Sequence, residues 1–327
     1  MSLLIGSHNK SRTFPQLETL QLSSCNLTEF PEFIKSQNKL TYLDLSNNRI
    51  HGLVPNWLWK STLDVLHLSS NAIDIPNQFP FDDANSSFPM LRWLDLRYCN
   101  ISMFPAFLKS QESLIALDLS NNQIRGAVPN WQNNFSSSIP DFGGATLLST
   151  LQVNDNKLEG KLPSSLVNCT SLKILNLGNS TLHDTFPLWL GKLPRLMVLI
   201  LLANRFYGPI KHLENNFPAL NVLDIASNKF FGKLSIEFFQ ATHKLRSLKI
   251  NGNNLEGKLP RSLANCRNLE VLDLGKNMIH DTFLTGEVSI EFFQSLRGMM
   301  VIDGNKAKLI YVGDNFYYQD SVTLVNK

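Results

Sequence analysis

Long apolar runs are missing from this 327-residue chain: no stretch approaches the ~18 residues that a membrane-spanning helix requires, so no transmembrane segment is expected. Charge is sparse too. Charged residues make up 17% of the chain and the formal net charge is +3, too small and too scattered to imply a nucleic-acid surface. The opening Met-Ser-Leu-Leu-Ile-Gly-Ser-His has neither a basic leader nor a small-residue cleavage site, so no secretion signal is expected in this stretch. Catalytic signatures are absent: there is no H-E-x-x-H, no C-x-x-C, no phosphate-cradling glycine loop and no G-x-S-x-G. No metal site, cofactor or catalytic residue is therefore assigned, and a non-enzymatic role is expected.

Leucine and asparagine dominate instead, with 54 and 34 copies, a bias that signals a repeated unit. The pattern L-x-x-L-x-L-x-x-N-x-L starts at Leu17, Leu40, Leu63, Leu91, Leu114, Leu148, Leu172, Leu196, Leu220, Leu245 and Leu269. Successive starts mostly fall 23 to 25 residues apart, with two longer steps. In the Leu40 unit, alternation around Leu43 and Leu45 predicts a short strand with leucines inward. Stacked copies make a parallel sheet. The slot after the strand turns the chain among buried backbone groups, where an Asn amide can both donate and accept. A structural ladder is thus expected at Asn48, Asn71, Asn122, Asn156, Asn204, Asn228, Asn253 and Asn277, with Cys25, Cys99 and Ser180 in the same slot elsewhere.

Many units then carry Gly-x-hydrophobic-Pro, as in Gly52-Leu53-Val54-Pro55 and Gly257-Lys258-Leu259-Pro260. These motifs resemble the plant class of extracellular leucine-rich repeat. The segments from Leu255, Asp184 and Tyr317 further resemble plant receptor-like proteins of the disease-resistance type, from about Phe14 onward. The resemblance implies an α/β repeat solenoid, a curved superhelix with a parallel β-sheet on its concave face and 3-10 or short helical turns on its convex face. It also implies an ectodomain fragment at the extracellular face of the plasma membrane, with a partner kinase or co-receptor engaged through repeats that lie outside this chain.

Longer internal copies point to duplication: Leu22 to Trp57 returns as Leu96 to Trp131, and Leu158 to Phe186 as Leu255 to Phe283. The expected organisation is an irregular lead-in over 1–16, a solenoid of about 11 repeats over 17–296, and a truncated, island-like non-repeat tail over 297–327. Seams are expected near 131–147 and 283–286. Cys25 and Cys99 share one slot three units apart, about 14 Å at ~4.8 Å per coil, beyond the ~7 Å reach of a disulfide. Cys169 and Cys266 are further apart, so all four are expected as free thiols.

Sequons cluster in the first 180 residues, and Asn85, Asn134, Asn26 and Asn100 are the expected glycosylation sites. An acidic column, Asp44, Asp95, Asp118, Asp224 and Asp273, recurs because the unit recurs, and no acid–base chemistry is assigned to it. Ligand binding is expected between the inward leucines. Tyr42, His67, Arg92, Trp93, Arg97 and Tyr98 supply interface-type anchors. Ile174, Val198, Ile200, Leu202 and Val222 form a second, aliphatic group on a face that is usually polar. The function expected is recognition of a protein, peptide or glycan ligand in pathogen perception. The alternatives are a secreted inhibitor of microbial cell-wall hydrolases resembling polygalacturonase-inhibiting proteins, and a truncated non-functional paralogue.

Overall fold

The computed structural model describes residues 15–76, 89–128, 147–210, 217–234, 244–258, Leu263 and 266–280. The expected tail and the seam at 283–286 lie outside these residues, as does nearly all of the seam at 131–147. Two compact units are present, Met1–Asp184 and Thr185–Lys327.

In the first unit, seven three-residue strands lie in sequence order in one parallel sheet: Thr19–Gln21, Tyr42–Asp44, Val65–His67, Trp93–Asp95, Ala116–Asp118, Thr150–Gln152 and Ile174–Asn176. The second unit repeats the arrangement with Val198–Ile200, Val222–Asp224, Ser247–Lys249 and Val271–Asp273. Each is a leucine-rich-repeat solenoid. Register is fixed by the central leucine, so Leu43 sits beside Leu66, Leu66 beside Leu94 and Leu94 beside Leu117. A slip of one residue would turn that whole spine to solvent. Leu40, Leu43, Leu45 and Ile50 are fully buried, as are Leu220, Leu223, Ile225 and Phe230.

The turns opposite the sheet are 3-10 helices, Glu32–Ser36, Asn56–Leu58, Ala106–Ser110 and Ser164–Asn168 in the first unit and Leu188–Lys192 in the second. Each follows a proline, whose fixed φ and missing N–H suit a helix start.

Between sheet and turns runs a second set of strands, which the repeat pattern alone did not predict. In the first unit His51–Leu53 pairs with Ala72–Asp74, and Lys157–Gly160 pairs with both Arg125–Ala127 and Thr181–Leu182. In the second, Tyr207–Pro209, Lys229–Lys233, Asn254–Lys258 and Met278–His280 form a four-stranded sheet. The glycine of the Gly-x-hydrophobic-Pro signal belongs here. Gly52 has φ +88° and Gly257 φ +83°, a conformation that other residues enter only at a cost of roughly 1–2 kcal/mol.

Candidate functional site

The ladder slot determines what the sheet face can display, because it fixes where each strand stops. Asn122 is 4% exposed, and its Nδ2 donates to the carbonyls of Leu96 at 2.9 Å, Leu119 at 2.9 Å and Ser120 at 3.1 Å. Its Oδ1 accepts the backbone N–H groups of Cys99 and Ile101 at 3.1 and 3.2 Å. One amide thus clamps its own coil to the one before. Asn48, Asn71, Asn156, Asn228, Asn253 and Asn277 also donate to the preceding coil, and Asn204 donates to Leu201 and Leu202 of its own coil. The substitutes do less. Cys99 Sγ donates to Leu68 O at 3.5 Å, Ser180 Oγ to Asn156 O at 3.3 Å, and Cys25 Sγ to Ser23 O at 3.5 Å. None of the four cysteines forms a disulfide, and burial pushes the pKa of the Cys99 thiol up to about 12.

Directly before each ladder residue the backbone turns left-handed in all eleven coils, from Ser24 at φ 56° to Lys276 at φ 51°. Asparagine tolerates this region unusually well, which explains the doubled Asn in Asn47-Asn48 and Asn121-Asn122. Tyr98 occupies the same position at φ 51° and is 53% exposed. A bulky side chain is held there at a conformational cost of roughly 1–2 kcal/mol, and its ring is presented to solvent.

The acidic column has a structural job. Oδ1 of Asp44, Asp95, Asp118, Asp224 and Asp273 accepts the backbone N–H two residues on, at 2.8, 3.2, 2.9, 3.1 and 3.1 Å. These local bonds help to end the five strands that carry an aspartate. Burial raises the carboxyl pKa values of Asp118 and Asp224 above the ordinary aspartate range, against the pull of Ser120 on the first and Lys249 on the second. Among the described residues no group of three or more His, Cys, Asp or Glu is placed to hold a metal ion.

On the first unit's face, the first group of expected binding residues forms a connected surface. Strand pairing sets Asp44, His67, Asp95, Asp118 and Gln152 side by side. His67 Nδ1 lies 3.7 Å from Asp95 Oδ2, Arg97 Nε 3.3 Å from the same oxygen, and Arg97 Nη1 4.0 Å from Asp118 Oδ2. Gln152 Nε2 donates to Asp118 Oδ2 at 3.2 Å. Tyr42 packs against His67 with ring centroids 5.7 Å apart. Arg92 pairs with Asp64 at 3.5 Å along the margin. Trp93 is flanked in the sheet by the smaller Val65 and Ala116, so its indole stands proud and is 42% exposed. Gln152 and Ser120 complete this network and went unassigned from sequence. Their signal was position alone: Gln152 ends its strand, and Ser120 lies two residues beyond the end of its own.

The aliphatic group behaves differently, and the expectation of an open apolar patch is corrected. Ile200 and Val222 are each only 8% exposed. Val198 lies beside Val222, and Ile200 beside Asp224, so neighbouring coils cover one another's branched side chains at strand spacing. Val198 and Leu202 are half-buried in the second unit, and Ile174 is half-buried in the first. Of the expected glycan acceptors, Asn26 and Asn100 are exposed, while Asn85 and Asn134 lie outside the described residues.

Coils clamped by an asparagine ladder behind a parallel sheet define the leucine-rich-repeat class, and the chain belongs to that family. Leucine-rich-repeat models match residues 15–73, 218–279 and 113–144. Receptor-like protein 35 of Arabidopsis thaliana is 32% identical over 349 aligned positions, covering 99% of this chain and 31% of the relative. Receptor-like protein 53 of the same plant is 33% identical over 328 positions, covering 95% and 28%. The sequence's likeness to plant receptor-like proteins is thereby shown, and the chain spans 28 to 33% of the length of these and a further such relative. Among solved structures, the Arabidopsis receptor kinase HAESA in complex with the peptide hormone IDA and the co-receptor SERK1 aligns with TM-score 0.63 and 27% identity, over 77% of this chain and 40% of that one. Among the described residues no helix is long and apolar enough to cross a membrane.

Proposed function

We propose that this chain is a ligand-recognition segment from the extracellular part of a plant receptor-like protein, and that the sheet face of its first unit binds a protein or peptide ligand in defence perception. The observation that carries the reading is the connected surface around Trp93: two exposed aromatic rings, Trp93 and Tyr98, beside an Arg97 guanidinium held by Asp95 and Asp118. Aromatic and arginine side chains dominate binding energy at interfaces, and an arginine fixed before binding loses less rotamer freedom when a ligand arrives. The peptide-bound receptor kinase supports a ligand of peptide character, and the relatives' names support a receptor role. The chain acts by binding and not by catalysis. Its signal passes to a partner kinase or co-receptor through parts of the parent protein beyond this segment.

The test is the double variant Trp93→Ala/Arg97→Ala in the parent receptor. Both side chains are exposed, so folding is expected to be retained. The ligand concentration giving half-maximal response should rise at least ~30-fold, corresponding to ~2 kcal/mol at an interface centre. An unchanged dose response from a normally accumulating receptor would reject this surface.

A further inference from the structure

Beyond Asn26 and Asn100, two more sequons lie among the described residues, Asn168-Cys169-Thr170 and Asn179-Ser180-Thr181. The structure separates them. Asn168 closes the 3-10 helix Ser164–Asn168, is half-buried, and leads into Cys169, which is fully buried. Asn179 is exposed. It occupies the left-handed turn before the ladder, at φ 52°, the slot that Tyr98 and Lys276 fill in other coils. This slot forms a rim just past the sheet strand, here Ile174–Asn176, and in no coil is the residue that holds it buried.

The repeat imposes the rim slot but not the sequon. Three rim positions hold asparagine, Asn47, Asn121 and Asn179, and of these Asn179 alone has a hydroxyl residue two places on, where the others have Arg49 and Gln123. In the internal copy that starts at Leu255 the equivalent rim residue is Lys276. Asn179 Nδ2 donates to Asp155 Oδ1 at 2.7 Å, an exposed bond to the rim residue one coil earlier. Asn47 Nδ2 donates in the same way to Ser24 Oγ at 2.7 Å. A side-chain amide carries two N–H groups, so this bond leaves the second for substitution.

N-linked oligosaccharide is bulky and hydrated, and a folded protein can carry it only on its surface. In its transfer from a lipid-linked oligosaccharide pyrophosphate, the C1–O bond to the pyrophosphate breaks, an Nδ2–C1 bond forms and one amide proton is released. The N–H that remains on Nδ2 can keep the bond to Asp155. Tyr98 and Asn179 share the rim slot three coils apart, about 14 Å at ~4.8 Å per coil. A glycan on Asn179 is therefore anchored beside the last strand of the first unit's sheet, outside the network around Trp93.

We propose that Asn179 is an N-glycosylation site presented by the rim slot, and that its oligosaccharide borders the sheet face at the last coil of the first unit. The proposal rests on the extracellular reading of the chain. The experiment is peptide mass spectrometry of the parent receptor purified from plant cells, before and after peptide N-glycosidase A, which releases the sugar and converts its asparagine to aspartate. The Asn179 peptide is expected to convert, and Asn179→Gln to lower the intact mass by one glycan. Arg49→Thr builds a sequon on Asn47, an exposed rim residue with the same kind of hydrogen bond to the coil before it, and should add one glycan there. An unmodified Asn179 in a receptor whose Asn26 or Asn100 converts overturns the proposal and leaves the extracellular reading standing. An unmodified Asn47 in Arg49→Thr, beside an occupied Asn179, would overturn the part assigned to the rim slot. Conversion at no sequon at all would overturn the extracellular reading, and this proposal with it.

Discussion

Replacing Asn122 with alanine should destabilise the first unit by roughly 3–5 kcal/mol, since each buried polar group stranded without a partner costs about 1–3 kcal/mol. The side chain makes five hydrogen bonds, three as donor and two as acceptor, all to backbone. Alanine abolishes them together and leaves two N–H and three C=O groups to be satisfied in a space that is 4% exposed. Some carbonyls have a second partner, because Ser120 O also accepts the Tyr98 N–H at 3.1 Å, which keeps the expected loss below the full sum. Urea denaturation followed by far-UV circular dichroism measures it. Asn38→Ala is the control. Asn38 is exposed, and its side chain makes no hydrogen bond among those of the described residues, so a change within ±0.5 kcal/mol is expected. Because repeat proteins gain stability from neighbour contacts, the loss should centre on the coils beginning at Leu91 and Leu114.

A similar loss, about 3–5 kcal/mol, is expected in the second unit from Phe230→Ala. Phe230 is fully buried, and its ring stacks on Phe206 at 6.2 Å with an interplanar angle of 13°. It also meets Phe186 edge-on at 6.0 Å, and Phe186 in turn packs against Phe217 at 6.1 Å. Where most coils close with leucine or isoleucine, these close with phenylalanine, so the core here is a ring cluster that a methyl group cannot refill. Phe230→Leu separates volume from geometry. It keeps a branched apolar side chain and should recover most of the loss, whereas the alanine variant leaves a cavity. Thermal unfolding of both variants checks the order.

The sequence made the spine legible because the period is strict. Leu43, Leu45 and Ile50 recur at fixed offsets, and only one face of a short strand can take them. The ladder was legible for the same reason, since a buried turn needs a side chain that both donates and accepts. The first group of expected binding residues was legible as Trp93, Arg97 and Tyr98 because the slot of Trp93 mostly holds valine or threonine and those of Arg97 and Tyr98 mostly hold serine, asparagine, alanine or glycine.

Other features needed neighbours in space. Ile200 and Val222 read as exposed from strand alternation, yet neighbouring coils leave each only 8% open. The left-handed backbone at Ala203 and Ser227 has no residue signature, because the stacked coil imposes it regardless of residue type. The flanking strands were hidden because their pairing is staggered: Tyr207 meets Lys229 and not its repeat equivalent Phe231.

Native-state hydrogen exchange, resolved to single amides, tests most directly whether ladder-clamped coils hold the sheet face. The backbone N–H groups of Ile50, Ile101, Ile124 and Phe230 donate to the Oδ1 of Asn71, Asn122, Asn156 and Asn253. They are expected to exchange as slowly as the strand amides of Leu43 and Leu94, with protection of at least ~1000-fold if opening costs ~4 kcal/mol or more. Exchange at those four positions at the rate of exposed turn amides, with the leucine strands still protected, would contradict it.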